Sequence, residues 1–108
     1  MMQRIRSSSL QELSREQQEN LRRQWTPQEG DYIAIGDHEE MVYYLNGVDS
    51  VKALPLLTIG EMIAYLNGQG GPVEIREAAG TWIVRAGGEE SRSAELCEAL
   101  WEAVKRAL

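Results

Sequence analysis

From Thr58 to Gly68 the chain reads TIGEMIAYLNG, and Ile59, Met62, Ile63 and Leu66 fall at i, i+3, i+4 and i+7. That spacing puts four apolar side chains on one face of an α-helix. Thr58 with Glu61 makes a capping-box pattern: the hydroxyl takes an orphan N–H and the carboxylate reaches back to the cap. Asn67 and Gly68 tolerate the positive φ at which helices commonly stop. The pattern predicts a short helix whose apolar face something else must cover.

Upstream the apolar positions thin out. Only Met1, Met2 and Ile5 precede Leu10, too few to offset the ordering of the backbone. Residues 1–13 read as a flexible basic arm. A polar helix is expected from Ser9 onward, with two competing capping boxes, Ser9 with Glu12 and Ser14 with Gln17. Its stripe is sparse: Leu10, Leu13, Leu21 and Trp25. Such a helix lies on a domain surface or is completed by a partner. Thr26-Pro27 ends it, because a residue before proline avoids the helical region.

Gln28–Asp31 reads as a turn, and Tyr32–Ile35 as a short strand closed by Gly36-Asp37. The next segment has two readings. As strands, Met41–Leu45 and Val48–Leu54 form a hairpin around Asn46-Gly47, a type I′ turn dipeptide. As a helix over 38–46, Asp37 is the cap and Asn46-Gly47 the stop. EMVYYLNG at 40–47 echoes EMIAYLNG at 61–68, which favours the helix. Val42, Tyr43 and Tyr44 suit a pleated surface better, and the strand reading is adopted.

Val73–Glu77 alternates apolar and polar residues, and Thr81–Ala86 returns after Ala78-Ala79-Gly80. Gly87–Ser91 reads as a flexible loop. A final helix starts near Ser91 or Ser93, with Leu96, Cys97, Leu100, Trp101, Val104 and Leu108 on its apolar stripe. The order α–β–β–β–α–β–β–α predicts an α+β fold, a small antiparallel sheet of about five strands with helices packed on it. Residues 14–108 form one domain.

Composition narrows the classes. The chain has 108 residues, 43% of them apolar, enough for one core without a staple. No apolar run approaches the ~20 residues that cross a bilayer, and the N-terminus lacks a signal peptide's apolar centre. The lone Cys97 has no internal disulfide partner. A cytoplasmic location, with no membrane association, is the expectation. Net charge is −6. Residues 1–24 hold five Arg and three Glu, a balance of +2; the remainder holds six basic and fourteen acidic groups, a balance of −8. An acidic body disfavours direct nucleic-acid binding, which needs a basic patch.

WTPQEGDY at 25–32, LPLLTIGEMIAYL at 54–66, Trp82, and the ending SAELCEALWEAVKRAL together resemble short uncharacterised proteins of Gram-positive bacteria and their phages. The second half is similar to the phage α/β sandwich domain in its helix–hairpin–helix order. The resemblance spans residues 14–108 and rests on apolar and turn positions. It implies a phage or mobile-element setting and carries over no activity and no catalytic residue.

The reactive side chains are few. His38 is the only histidine and stands in DHEE at 37–40. Zinc takes ligands from spaced positions, with more than one His or Cys, so a solvated polar turn is the plainer reading. Cys97 lies on an apolar stripe, where a thiol acts as a small hydrophobe. NGQGGP at 67–72 follows a helix, the reverse of a phosphate loop. No catalytic residue, cofactor or metal site is expected. The leading expectation is a non-enzymatic protein-interaction or structural module whose open sheet edges invite a partner or a second copy. Tyr43, Tyr44, Leu13, Leu21 and Trp25 are its candidate contact residues. An acidic regulator that occupies a nucleic-acid-binding site on a host protein is the alternative, and an enzyme the second alternative.

Overall fold

A computed structural model describes residues 1–42 and 53–108. The chain divides into two compact units, Arg6–Leu57 and a discontinuous one of Met1–Ile5 with Thr58–Leu108. The fold is α+β, as the element order predicts, but the strands among the described residues form two three-stranded antiparallel sheets and not one sheet of five.

The Arg6–Leu57 unit starts with α1 (Ser7–Leu10) and α2 (Arg15–Gln24). Of the two competing caps, Ser14 starts the long helix. Its Oγ accepts from the Gln17 N–H at 3.1 Å, and Gln17 Oε1 accepts from the Ser14 N–H at 2.9 Å. Ser9 is buried, its Oγ accepting from the Arg6 N–H. The helix stops before Trp25, which is extended at φ −107° and ψ 132°, one residue ahead of the Thr26-Pro27 pair.

Three strands follow: β1 (Tyr32–Ile35), β2 (His38–Met41) and β3 (Leu54–Pro55), in the order β2-β1-β3. The β1–β2 pair runs from Tyr32 opposite Met41 to Ile35 opposite His38, and Ala34 faces Leu54 on the other side. Gly36 turns the hairpin at φ +63°. Glycine first with positive φ is what a II′ turn requires. Residues 38–41 are therefore strand, which corrects the helical alternative over its described part. The hairpin expected around Asn46-Gly47 lies largely outside the described residues. Ile33, Val42 and Ala53 form a small core, with Trp25 and Ile35 packed against it.

The other unit holds α3 (Ile59–Asn67), β4 (Glu74–Ala78), β5 (Thr81–Ala86), β6 (Glu89–Ser93) and α4 (Leu96–Ala107). The cap of α3 is the one its spacing predicts. Thr58 Oγ1 accepts from the Glu61 N–H at 3.1 Å, and Glu61 Oε1 accepts from the Thr58 N–H at 3.0 Å. Its end differs: Gly68 keeps φ −72°, and the positive φ comes two residues later, at Gly70.

Gly87-Gly88, expected in a flexible loop, is a two-residue turn with φ +62° and +78°. It joins β5 to β6, a strand that replaces the expected loop and pushes the start of the last helix to Leu96. Glu-Glu-Ser-Arg-Ser is a poor strand former by composition. Pairing with β5 and packing against α4 override that preference. The α4 helix packs on α3, β5 and β6 and buries Leu100, Trp101 and Val104 almost completely. Burial at about 1.5–3 kcal/mol per large apolar side chain makes α4 the principal anchor of this unit.

The first five residues are not bare chain. Ile5 is 2% exposed, and Arg4 forms an antiparallel bridge with Thr58. One buried isoleucine escapes a count that weighs only the number of apolar residues in a segment.

Candidate interaction surface

The candidate contact residues divide three ways. Leu13 and Leu21 are buried, at 6% and 3% exposure, so neither offers a side chain to a partner. Trp25 is half-buried against the Ile33–Val42–Ala53 core, and its indole N–H donates to Asp31 Oδ2 at 3.3 Å. Asp31 Oδ2 also accepts from the Gln28 N–H at 2.9 Å, so one carboxylate closes the turn and holds the ring. Tyr43 and Tyr44 lie outside the described residues.

The sparse stripe of α2 is thus enough to seat it. The helix packs on β3, and its polar face carries local pairs such as Arg22 with Glu19. Helix stability of this kind comes from tertiary packing more than from propensity.

The sheet edges carry features that discourage strand addition. β2 is exposed from His38 to Glu40; β3 is two residues long and contains Pro55. On the second sheet, β4 presents Glu74, Arg76 and Glu77, and β6 presents Glu89, Glu90 and Arg92. Charges, brevity and proline are the usual means of blunting an edge. Among the described residues, a partner adding a strand meets a charged or interrupted edge.

What remains prominent is the β1–β2 hairpin. Asp37, His38, Glu39 and Glu40 are all exposed. Alternation puts His38 and Glu40 on one face, with Nε2 and Oε2 3.2 Å apart, and Glu39 on the other. Glu39 Oε2 accepts from the Ser7 N–H at 2.7 Å. Tyr32, at the start of β1, is 37% exposed and lies on the Glu39 face of the same sheet. The DHEE run, a polar turn by its sequence, is a turn only at Asp37; His38–Glu40 are strand.

His38 has a 67% exposed side chain. Cys97 is fully buried, and its thiol is pushed up to about 11, by burial first and by the Glu98 and Glu95 carboxylates next. Among the described residues no group of three His, Cys, Asp or Glu is placed to hold a metal ion, and no helix is long and apolar enough to cross a membrane. Two hollows lined by described residues stand out. One, of about 240 Å³, is lined by Leu66, Ala86, Ala103 and Arg106. The other, of about 170 Å³, is lined by Leu10, Ala34, Leu54 and Arg22. Both fall below the ~300–1,000 Å³ of small-molecule pockets.

The chain matches no family model, no curated protein and no solved structure. Its functional reading rests on geometry.

Proposed function

We propose that this protein is an interaction module that acts by contact and not by turnover, with the β1–β2 hairpin as its contact surface. One observation carries the reading: β2 is paired to β1 through all four residues yet leaves His38, Glu39 and Glu40 exposed. A strand that adds so little to a core keeps its side chains available to a partner. Asp37, Glu39 and Glu40 give the hairpin a negative potential, and Tyr32 adds an aromatic contact beside it. Such an arrangement suits a protein with a basic surface, since complementary charge steers encounter and fixes register. The exposure of His38 and the protonated, enclosed state of Cys97 support contact over catalysis, because a nucleophile needs access and an activating base. The setting is the cytoplasm of a bacterium, with a phage or mobile-element origin.

The same hairpin favours a second form of this reading, an acidic regulator that sits in the nucleic-acid-binding site of a basic host protein.

The experiment compares the wild type with Asp37→Lys/Glu40→Lys as baits in a bacterial extract. Glu39 is left intact because it bonds Ser7. A basic protein retained by the wild type, released by added salt and lost with the double variant supports the hairpin. Equal retention by both baits removes it. Competition with duplex DNA for that protein separates the regulator from a plain scaffold.

A further inference from the structure

Residues 1–5 belong to the unit made by the second half of the chain, while Arg6 begins the other unit. Their contacts are definite. Gln3 O accepts from the Ile59 N–H at 3.1 Å. Arg4 lies opposite Thr58 in an isolated antiparallel bridge. The Met2 N–H donates to Glu95 Oε2 at 3.2 Å, and Ile5 is 2% exposed. The bridge falls on the cap residue of α3, and Glu95 is the cap residue of α4. The segment is thus a short strap laid over the starts of two helices.

None of these contacts depends on which copy of the chain supplies the strap. Met2 and Glu95 are 93 positions apart in sequence, so the strap reaches its seat through space. It is joined to the next unit by Arg6, an exposed and extended residue at φ −109° and ψ 166°. Directly beyond it Ser9 Oγ accepts from the Arg6 N–H, fixing the start of α1. A seated segment, a one-residue joint and a structured element behind it are the ingredients of domain exchange, which makes a dimer from contacts that already exist.

We propose that residues 1–5 form an exchangeable strap, and that the surface at Thr58, Ile59 and Glu95 takes the strap of a second copy. The exchanged dimer has two-fold symmetry and repeats the Gln3–Ile59 and Arg4–Thr58 pairings in trans. Since the same bonds form in both states, the balance is set by the effective concentration of the tethered strap, about millimolar for a short connection. The monomer dominates at micromolar concentration, and the dimer accumulates when the chain refolds near a millimolar. The hairpin surface takes no part, so this inference stands apart from the proposed function.

The test uses variants that each add one cysteine to the native Cys97. Arg4 and Thr58 flank the Ile59–Gln3 bond as a non-hydrogen-bonded pair, for which Cα atoms lie about 4.5 Å apart, within disulfide reach. Arg4→Cys and Thr58→Cys chains are refolded together under reduction and then oxidised in the folded state, where Cys97 stays enclosed. A mixed disulfide can form only in trans. It is expected to rise with refolding concentration, well above a control pairing of Arg4→Cys with Arg76→Cys. Yields equal to that control at every concentration overturn the proposal. Because Thr58→Cys also removes a helix cap, sedimentation of the otherwise unaltered chain with and without residues 1–5 provides a second arm. A refolded dimer that vanishes on deletion supports exchange; one that persists refutes it.

Discussion

Arg106, in the last turn of α4, donates to Ser91 Oγ at 2.7 Å, and its Nε pairs with Glu89 at 2.6 Å. Ser91 is 6% exposed and sits in the middle of β6. One guanidinium therefore satisfies a buried hydroxyl and ties the end of α4 to a strand of weak intrinsic preference. Arg106→Ala leaves that hydroxyl without its donor and should cost about 1–3 kcal/mol. Arg106→Lys should recover part of the loss. Urea denaturation of Arg106→Ala, Ser91→Ala and the double variant measures the coupling, expected within about 0.5–3 kcal/mol.

Among the described residues Ala79 is the one non-glycine residue with positive φ, at +53°. It and Gly80 form the two-residue turn between Ala78 and Thr81, and a Cβ in that region costs about 1–2 kcal/mol. Ala79→Asn supplies the preferred Asn-Gly dipeptide. It should raise stability by about 0.5–1 kcal/mol, a fraction of the strain removed. A β-branched Ala79→Val should lower it. Thermal melts of the three proteins give the order.

Cys97 links stability to alkaline pH. Its thiol titrates near 9.0 when free of the fold and at about 11 within it, so the native state keeps a proton that the unfolded chain releases. The contribution is fully present below pH 9 and is lost as pH rises through about 11, because there the unfolded state binds fewer protons. Cys97→Ala should be less stable at neutral pH, through lost packing, but should show a shallower decline between pH 9 and 11. The difference between the two curves isolates this thiol from other groups that titrate there. Labelling of Cys97 by iodoacetamide at pH 8 should follow the opening of the fold.

Asp31 holds both the Trp25 indole and the Gln28 amide. Asp31→Ala removes a charged acceptor from two donors and should cost about 1.5–3 kcal/mol. Trp25→Phe keeps the ring and deletes only the N–H, so it should cost less. In the double variant the indole contribution disappears, and the two losses add to less than their sum.

The sequence was most legible where a local signal and the tertiary fold agree. Thr58, Glu61 and the Ile59–Leu66 stripe mark α3 at its start, and the paired alternation of 73–77 and 81–86 marks the β4–β5 hairpin. It misled where tertiary contacts decide. β6 consists of residues that disfavour strands, and only Val84 opposite Ser91, with Arg106 above, accounts for it. β2 is acidic and exposed, so no apolar alternation announces it. Gly36-Asp37 reads as the close of the Tyr32–Ile35 strand and Gly87-Gly88 as the start of a flexible loop, and the polar residues after each carry no β pattern of their own. Of the candidate contacts, Leu13 and Leu21 are buried, because a sparse stripe does not disclose how well a helix is seated. The exposed hairpin was visible as a charge run, whose display on a paired strand only the register reveals.

The division of the chain has a consequence for its birth on the ribosome. Residues 6–57 can collapse while the rest is still being made, but the strap at residues 1–5 has no seat until Thr58 and Glu95 emerge. At about 5–20 residues per second, Thr58 follows Ile5 by roughly 3–10 s. Residues 1–5 are thus made well before the surface that seats them, and the discontinuous unit closes only after Glu95 has followed.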